Sequence, residues 1–249
     1  MKKNIITITL SIALLIFAGQ GLIKGQLVID IEAGSVFSGY NDVRIPGEGG
    51  TLFSLSEELS ASPQFFYRLR GTYTIGTRHN LSVLFAPLTV KSEGMVPRDI
   101  NFEGVVFPAN IDLEGKYKFN SYRLTYRYDI IEKPKFELGL GFTAKIRDAS
   151  IALSASGLES EKTNVGFVPI LNFRLDWQVR DRLSLLIYGD ALAAPQGRAE
   201  DILLAVKYRM SDRLALKAGY RILEGGAANA EVYNYALFNY AALGILISL

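Results

Sequence analysis

From Gln64 to Ile75 apolar and polar side chains keep opposite parities, with Phe65, Tyr67, Leu69, Tyr73 and Ile75 on one and Gln64, Arg68, Arg70, Thr72 and Thr74 on the other. A β-strand sends successive side chains to opposite faces, so this segment has one aromatic and aliphatic face and one polar, charged face. The pattern recurs. Phe136, Leu138, Leu140, Phe142, Ala144 and Ile146 alternate with Glu137, Gly139, Gly141, Thr143, Lys145 and Arg147, and Ile202, Leu204, Val206 and Tyr208 alternate with Leu203, Ala205, Lys207 and Arg209. Ten such runs are predicted, near 27–37, 63–75, 80–92, 113–129, 135–153, 163–179, 183–194, 199–210, 213–223 and 232–249. Several exceed ten residues, about twice the roughly 5 to 6 of a soluble strand. A strand tilted across a bilayer needs about 9 to 11.

The connections alternate in length. Short turns are expected at 76–79, 129–135, 180–182 and 211–213, and long connections near 38–62, 94–112 and 154–162, with shorter members near 195–199 and 224–231. Short turns at one end and long loops at the other are the asymmetry of a closed antiparallel barrel in an outer membrane, whose long loops face out. An even strand count returns the chain to the side on which it began.

The first 25 residues follow a different rule. Lys2 and Lys3 precede a nearly unbroken apolar run from Ile5 to Ala18, and small residues follow at Ala18, Gly19, Gly21 and Gly25. This is the pattern of a secretory signal peptide, with cleavage expected near Gly25, and the run is too short for a transmembrane helix. Residues 1–25 are therefore assigned as a signal peptide and 26–249 as one barrel domain with long external loops near 38–62 and 94–112.

With its signal segment, dyad repeats, turn and loop asymmetry, and a terminal strand Tyr235 to Leu249, the chain resembles the small single-chain outer-membrane β-barrels of Gram-negative bacteria. The resemblance covers essentially the whole mature chain. It implies an all-β, closed antiparallel transmembrane barrel of ten strands, with eight and twelve as the neighbouring even counts, located in the cell outer membrane. It also implies contact with outer-membrane lipid and lipopolysaccharide, and with the barrel-assembly machinery through the C-terminal strand.

Composition narrows the chemistry. The 249 residues include no Cys and one His, with 27 Lys+Arg against 25 Asp+Glu for a net charge of +2. No disulfide, thiolate metal site or cysteine nucleophile is possible, and no cofactor or metal is expected. The mild charge gives no reason to expect nucleic acid. Lys2, Lys3 and Lys24 lie in the signal segment, which holds no acid, so its removal leaves 24 basic and 25 acidic residues and a net charge of −1. The single imidazole, His79, falls in a predicted periplasmic turn, away from outer-leaflet chemistry, and acyl transfer needs a base within reach of a nucleophile. The chain is read as no enzyme.

The inward parities carry most of the strand-borne charge. Asp30, Glu32, Arg68, Arg70, Arg123, Arg127, Glu137, Arg174, Asp176, Lys207, Arg209 and Lys217 are assigned to the lumen toward the periplasmic end, eight basic against four acidic. Charges enclosed in so narrow a barrel are expected to pair as an ionic network. Asp190 and Asp148 are read as inward carboxylates nearer the loops without an identifiable partner. Tyr122, Tyr126, Tyr128 and Trp177 are assigned to an aromatic membrane-interface girdle.

In the first loop, Leu52, Leu55 and Leu59 recur at helical spacing after Thr51, predicting a short helix over 51–59 within an ordered loop that folds over the mouth. The expected function is non-enzymatic: structural, or loop-mediated binding and adhesion, with an ionically filled lumen. The alternatives are a narrow porin-like channel for small, anion-leaning solutes and an outer-membrane lipid-modifying enzyme.

Overall fold

A computed structural model describes residues 25–195 and 197–249, so the predicted signal segment lies outside the described residues apart from Gly25. Every regular element in them is a strand. The first strand, β1 (Gly25–Arg44), is followed by two short pieces, β2 (Phe53–Ser54) and β3 (Ser60–Ala61), and then by β4 (Gln64–Ile75) and β5 (His79–Ala86). Next come β6 (Thr89–Met95), the small hairpin β7 (Ile100–Phe102) and β8 (Val105–Phe107), and three long strands, β9 (Asp112–Lys133), β10 (Phe136–Ala155) and β11 (Leu158–Arg180). The chain ends with β12 (Leu183–Ala194), β13 (Gly197–Arg209), β14 (Leu214–Ala228) and β15 (Tyr233–Ser248).

Ten strands close a ring in the order β1, β4, β5, β9, β10, β11, β12, β13, β14, β15, all neighbours antiparallel. Closure is made by β1 against β15, from Val28↔Ser248 to Arg44↔Tyr233. The ten predicted runs are these ten wall strands, the third continuing past Pro87 as β6. Closing the ring leaves no unpaired edge along its ladders, where hydrocarbon would not tolerate one; β11 above Leu171 lacks a paired strand on its β12 side.

The alternation sorts the side chains as the sequence requires. The outward parity carries an apolar belt in which Phe65, Phe142 and Val165 are 75%, 69% and 71% exposed. Exposed apolar surface of that extent, wrapped round a closed barrel, requires a lipid surrounding. Gly25, the first described residue, and Leu249 both lie at the end that carries the short turns, with Gly25 beside Ile75 and Leu249 donating its N–H to the Leu27 carbonyl at 2.8 Å.

Two features of the loop end differ from the sequence reading. Strand β1 runs on to Arg44, because a bulge between Ser38 and Asn41 shifts the register and breaks the alternation that would have revealed it. The expected long connection at 154–162 is instead a tight turn at Ser156 and Gly157, with φ of 44° and 86°, between strands of 20 and 23 residues. Strands β9, β10 and β11 thus rise beyond the belt as a tall wall on one side of the mouth.

Candidate functional site

The lumen is filled in two layers, ionic toward the turn end and apolar toward the loops. Strand register brings the first layer together. Asp30 and Glu32 on β1 stand opposite Arg70 and Arg68 on β4. On the other side, β15 separates β1 from β14 and places Gly244 in register with both Glu32 and Lys217. Lys217 passes over that glycine to reach Glu32 and Asp30, each at 2.8 Å. Arg221, four residues further along β14 on the same face, donates to Glu32 at 2.7 and 3.0 Å.

From Glu32 the network crosses the barrel. Arg68 and Arg221 both bond Asp201, the former at 2.7 Å, and Arg123 on β9 joins Asp201 to Asp190. Asp190 also accepts from Thr143 at 2.6 Å and Asn172 at 2.8 Å. Four cations (Arg68, Arg123, Lys217, Arg221) and four carboxylates (Asp30, Glu32, Asp190, Asp201), on six strands, therefore pair with one another, with Asp30 Oδ1 left without a hydrogen bond. Arginine is suited to this because its planar fork can bridge two carboxylates at once.

The remaining residues assigned to the lumen take separate places. Arg174 binds Glu137 at 2.6 Å and also Asp176, which Lys207 contacts too, forming a smaller cluster nearer the turns. Arg127 pairs with Asp129 at 3.0 Å, in space left by Gly139, where a Cβ would meet that carboxylate at 2.3 Å. Arg70 bonds the hydroxyl of Tyr188 and lies 4.3 Å from the centre of its ring. Arg209 stands outside the lumen although its parity is inward: it lies at the exposed end of β13 and donates to the Asp181 carbonyl at 2.7 Å.

Three members of the network, Asp190, Asp201 and Arg221, were not among the residues assigned to it from sequence. Asp190, expected to lack a partner, is bonded on three sides. The parity signal was present for all three, but partners that lie across the lumen leave no mark along the chain. Asp148 is not inward at all. It sits on the outer face above the belt and pairs with Lys118 at 2.9 Å.

The aromatic assignments divide by level. Tyr126 and Trp177 are exposed on the outer face near the turns, and Tyr128 is half-buried against His79, ring centres 5.0 Å apart. His79 Nδ1 and the Tyr126 hydroxyl are 2.9 Å apart, which places the lone imidazole in this band. Tyr122 stacks on Phe85 and lies six residues from Tyr128, roughly 20 Å further along the strand, so it does not share the girdle at the turn end.

The second layer is a cap made from both long loops. Ile45, Phe53, Leu55, Leu59, Ile100, Phe102 and Phe107 are each at most 2% exposed and pack onto lumen-facing Val36, Leu153 and Phe238. No helix forms over 51–59. Leu55 and Leu59 do share a face, but β2 and β3 confine the segment to a single turn closed by Leu59 N–H to the Ser54 carbonyl at 3.1 Å, while Leu52 points outward. One turn gives too few hydrogen bonds to propagate a helix. The loops interlock through Thr51 N–H to the Asn101 carbonyl, 2.9 Å, and Glu103 N–H to the Ile45 carbonyl, 2.8 Å. Arg98 holds Glu58 and the Leu52 carbonyl, and its hydrogen bond is the main cause that keeps the Glu58 carboxyl below its ordinary pKa. The cap is anchored on one side by Glu48 N–H to the Ala230 carbonyl and on the other by Lys162 to Glu103, both 3.0 Å.

No protein-family model matches the chain, and no curated protein sequence matches it. Solved structures do. The transport unit of the autotransporter AIDA-I from Escherichia coli is 10% identical with a TM-score of 0.51, the match covering 90% of each chain. The outer membrane protease OmpT from Escherichia coli is 8% identical with a TM-score of 0.49, over 93% of this chain and 99% of its own. Ail, the attachment invasion locus protein of Yersinia pestis, in complex with the heparin analogue sucrose octasulfate, is 12% identical with a TM-score of 0.41, over 90% and 99%. At such identities the AIDA-I likeness is one of fold. Together with the belt and the closed ring, it makes the chain a small outer-membrane β-barrel.

Proposed function

We propose that this is a non-enzymatic, non-conducting barrel that holds a rigid binding surface, its cap and tall wall, outside the outer membrane. The observation that carries the reading is the double closure of the lumen, by the ionic network below and by the apolar cap above. Wide aqueous channels belong to barrels of about 16 to 18 strands, and ten leave little room once twelve or more charged side chains point inward. The cap packs as a small core of its own, which suits a surface that must keep its shape.

The outer face of the tall wall supports the binding reading. There Lys91 stands directly opposite Lys116, and Glu93 opposite Glu114, with Glu159 further along the same row as Glu114. Like charges directly opposed across strands destabilise a sheet, so their presence favours an external partner that matches the bands. Lipid and lipopolysaccharide would contact the belt and the Lys118 level above it, and β15 would serve the assembly machinery during insertion. His79, held by Tyr126 at the turn end, has no place in a lipid-modifying reaction at the outer leaflet.

Liposome swelling with small sugars and amino acids tests the closure. Vesicles loaded with the folded barrel are expected to swell no faster than empty ones. Swelling that slows with solute size would favour the narrow channel instead.

A further inference from the structure

Between the cap and the low wall formed by β12 and β13 lies a cavity of about 580 Å³, within the range of small-molecule sites. Phe119, Ile151, Leu192, Leu223, Val232 and Phe238 give it an apolar lining. Of its charged lining, Lys162 is paired with Glu103, Arg198 with Glu224, and Glu231 is exposed, which leaves Lys145 and Arg147 on β10. Lys145, 2% exposed, lines the cavity with its ammonium 4.7 Å from the centre of the Phe119 ring and has no ion-pair partner among the described residues. The nearest carboxylates are committed elsewhere: Asp190 to Arg123, Thr143 and Asn172, and Asp201 to Arg68, Arg123 and Arg221. Arg147, next on the same face, bonds Asn164 but leaves its Nε buried without an acceptor, and the Ser150 hydroxyl is also unsatisfied. Buried cations without counter-charge are costly, so the cavity wants an anion.

The wall beside it is open. The β11–β12 ladder ends at Leu171↔Ala191, so β11 has no paired strand on that side from Leu158 to Ile170. Pro169, which has no N–H to offer a neighbouring strand, sits just above the last pair. Phe167 and Pro169 on the outer face of β11 and Val168 on its inner face all line the same cavity, which therefore wraps round the free edge of the strand. Val165 and Phe167, 71% and 67% exposed, carry the apolar belt up to this notch.

We propose that the cavity binds a single-chain amphiphile with an anionic head, taken from the outer leaflet through the β11–β12 notch. The carboxylate or phosphate head meets Lys145 and Arg147, and the chain lies among Phe119, Val168 and Phe238. The ionic network below makes this a binding site with no exit to the turn end.

The test uses the full barrel in an uncharged detergent, with displacement of a fluorescent fatty acid as the readout. Dodecanoate and dodecyl phosphate should both displace it, with dodecanol, inorganic phosphate and acetate at least about tenfold weaker. A preference for the carboxylate points to free fatty acid, and one for the phosphate to a lysophospholipid. Lys145→Gln, checked for folding by heat-modifiable gel migration, should lower affinity for the anions about tenfold and leave that for dodecanol unchanged. Equal affinity for dodecanol and dodecanoate, or an unaltered anion affinity in Lys145→Gln, would overturn the site. Because the chain has no native Cys, a Val168→Cys, Ala194→Cys pair can staple the notch. The staple should slow capture from vesicles until it is reduced. Unchanged capture with the disulfide formed would overturn access through the wall.

Discussion

Lys217 on β14 reaches Glu32 on β1 at 2.8 Å across an intervening strand because the β15 residue in register with both is Gly244. A Cβ at Gly244 would stand 2.4 Å from Lys217 Cε and 2.9 Å from the Ile31 carbonyl oxygen. Gly244→Val should therefore push the lysine off both Asp30 and Glu32 and cost about 1–3 kcal/mol. The check is the midpoint of heat-modifiable gel migration, and a midpoint equal to wild type would show that the ion pair needs no slot.

Arg123 is the residue on which the network depends most. It alone joins Asp190 to Asp201, and all three are at most 4% exposed. Arg123→Met leaves two buried carboxylates short of a partner and should destabilise the barrel by about 3–5 kcal/mol, measured by urea titration in detergent. Adding Asp201→Asn removes one of the stranded charges and should recover part of the loss. A double variant less stable than the single one would contradict this pairing.

The cap should loosen with acid. Arg98 donates to Glu58 and thereby holds its carboxyl below the ordinary value of 4.5. A carboxyl lowered by folding contributes stability that is complete above its unfolded pKa and is lost as pH falls through the folded one. Hydrogen exchange at Leu55 and Leu59 is thus expected to be flat at neutral pH, after allowing for intrinsic rates, and to quicken only once the pH falls below the ordinary glutamate range. Glu58→Gln should exchange faster at neutral pH and lose that step. An identical acid step in Glu58→Gln would assign it to another group.

Trp177, the only tryptophan, is 49% exposed on the outer face near the turns. In vesicles its fluorescence should be quenched by lipids brominated near the headgroup and little by aqueous iodide. Strong iodide quenching with no bromine effect would place this face in water.

Alternation located all ten wall strands because lipid outside and charge inside enforce a period of two from Phe65 to Ile75 and in every run like it. It failed where the period breaks, as at the Ser38 to Asn41 bulge, and where spacing is ambiguous: Leu55 and Leu59 are as far apart in a single turn as in a helix. Parity placed Glu32, Arg68, Arg123 and Lys217 in the lumen but could not name their partners. Asp201 meets Arg68 across 133 positions of sequence, a distance set only by barrel closure. Arg209 shows the converse, an inward parity at a strand end that has already left the lumen. The unpaired edge of β11 was hidden because a strand's own sequence does not say where its neighbour stops.

Whether the lumen is sealed is decided by single-channel recording in planar bilayers. Folded barrel inserted in one orientation should give a silent baseline, and a variant with residues 45–63 replaced by a short Gly/Ser linker should stay silent too, because the network from Asp190 to Lys217 closes the bore beneath the cap. Discrete conductance steps from the wild-type barrel that change in size with Arg123→Met would contradict it.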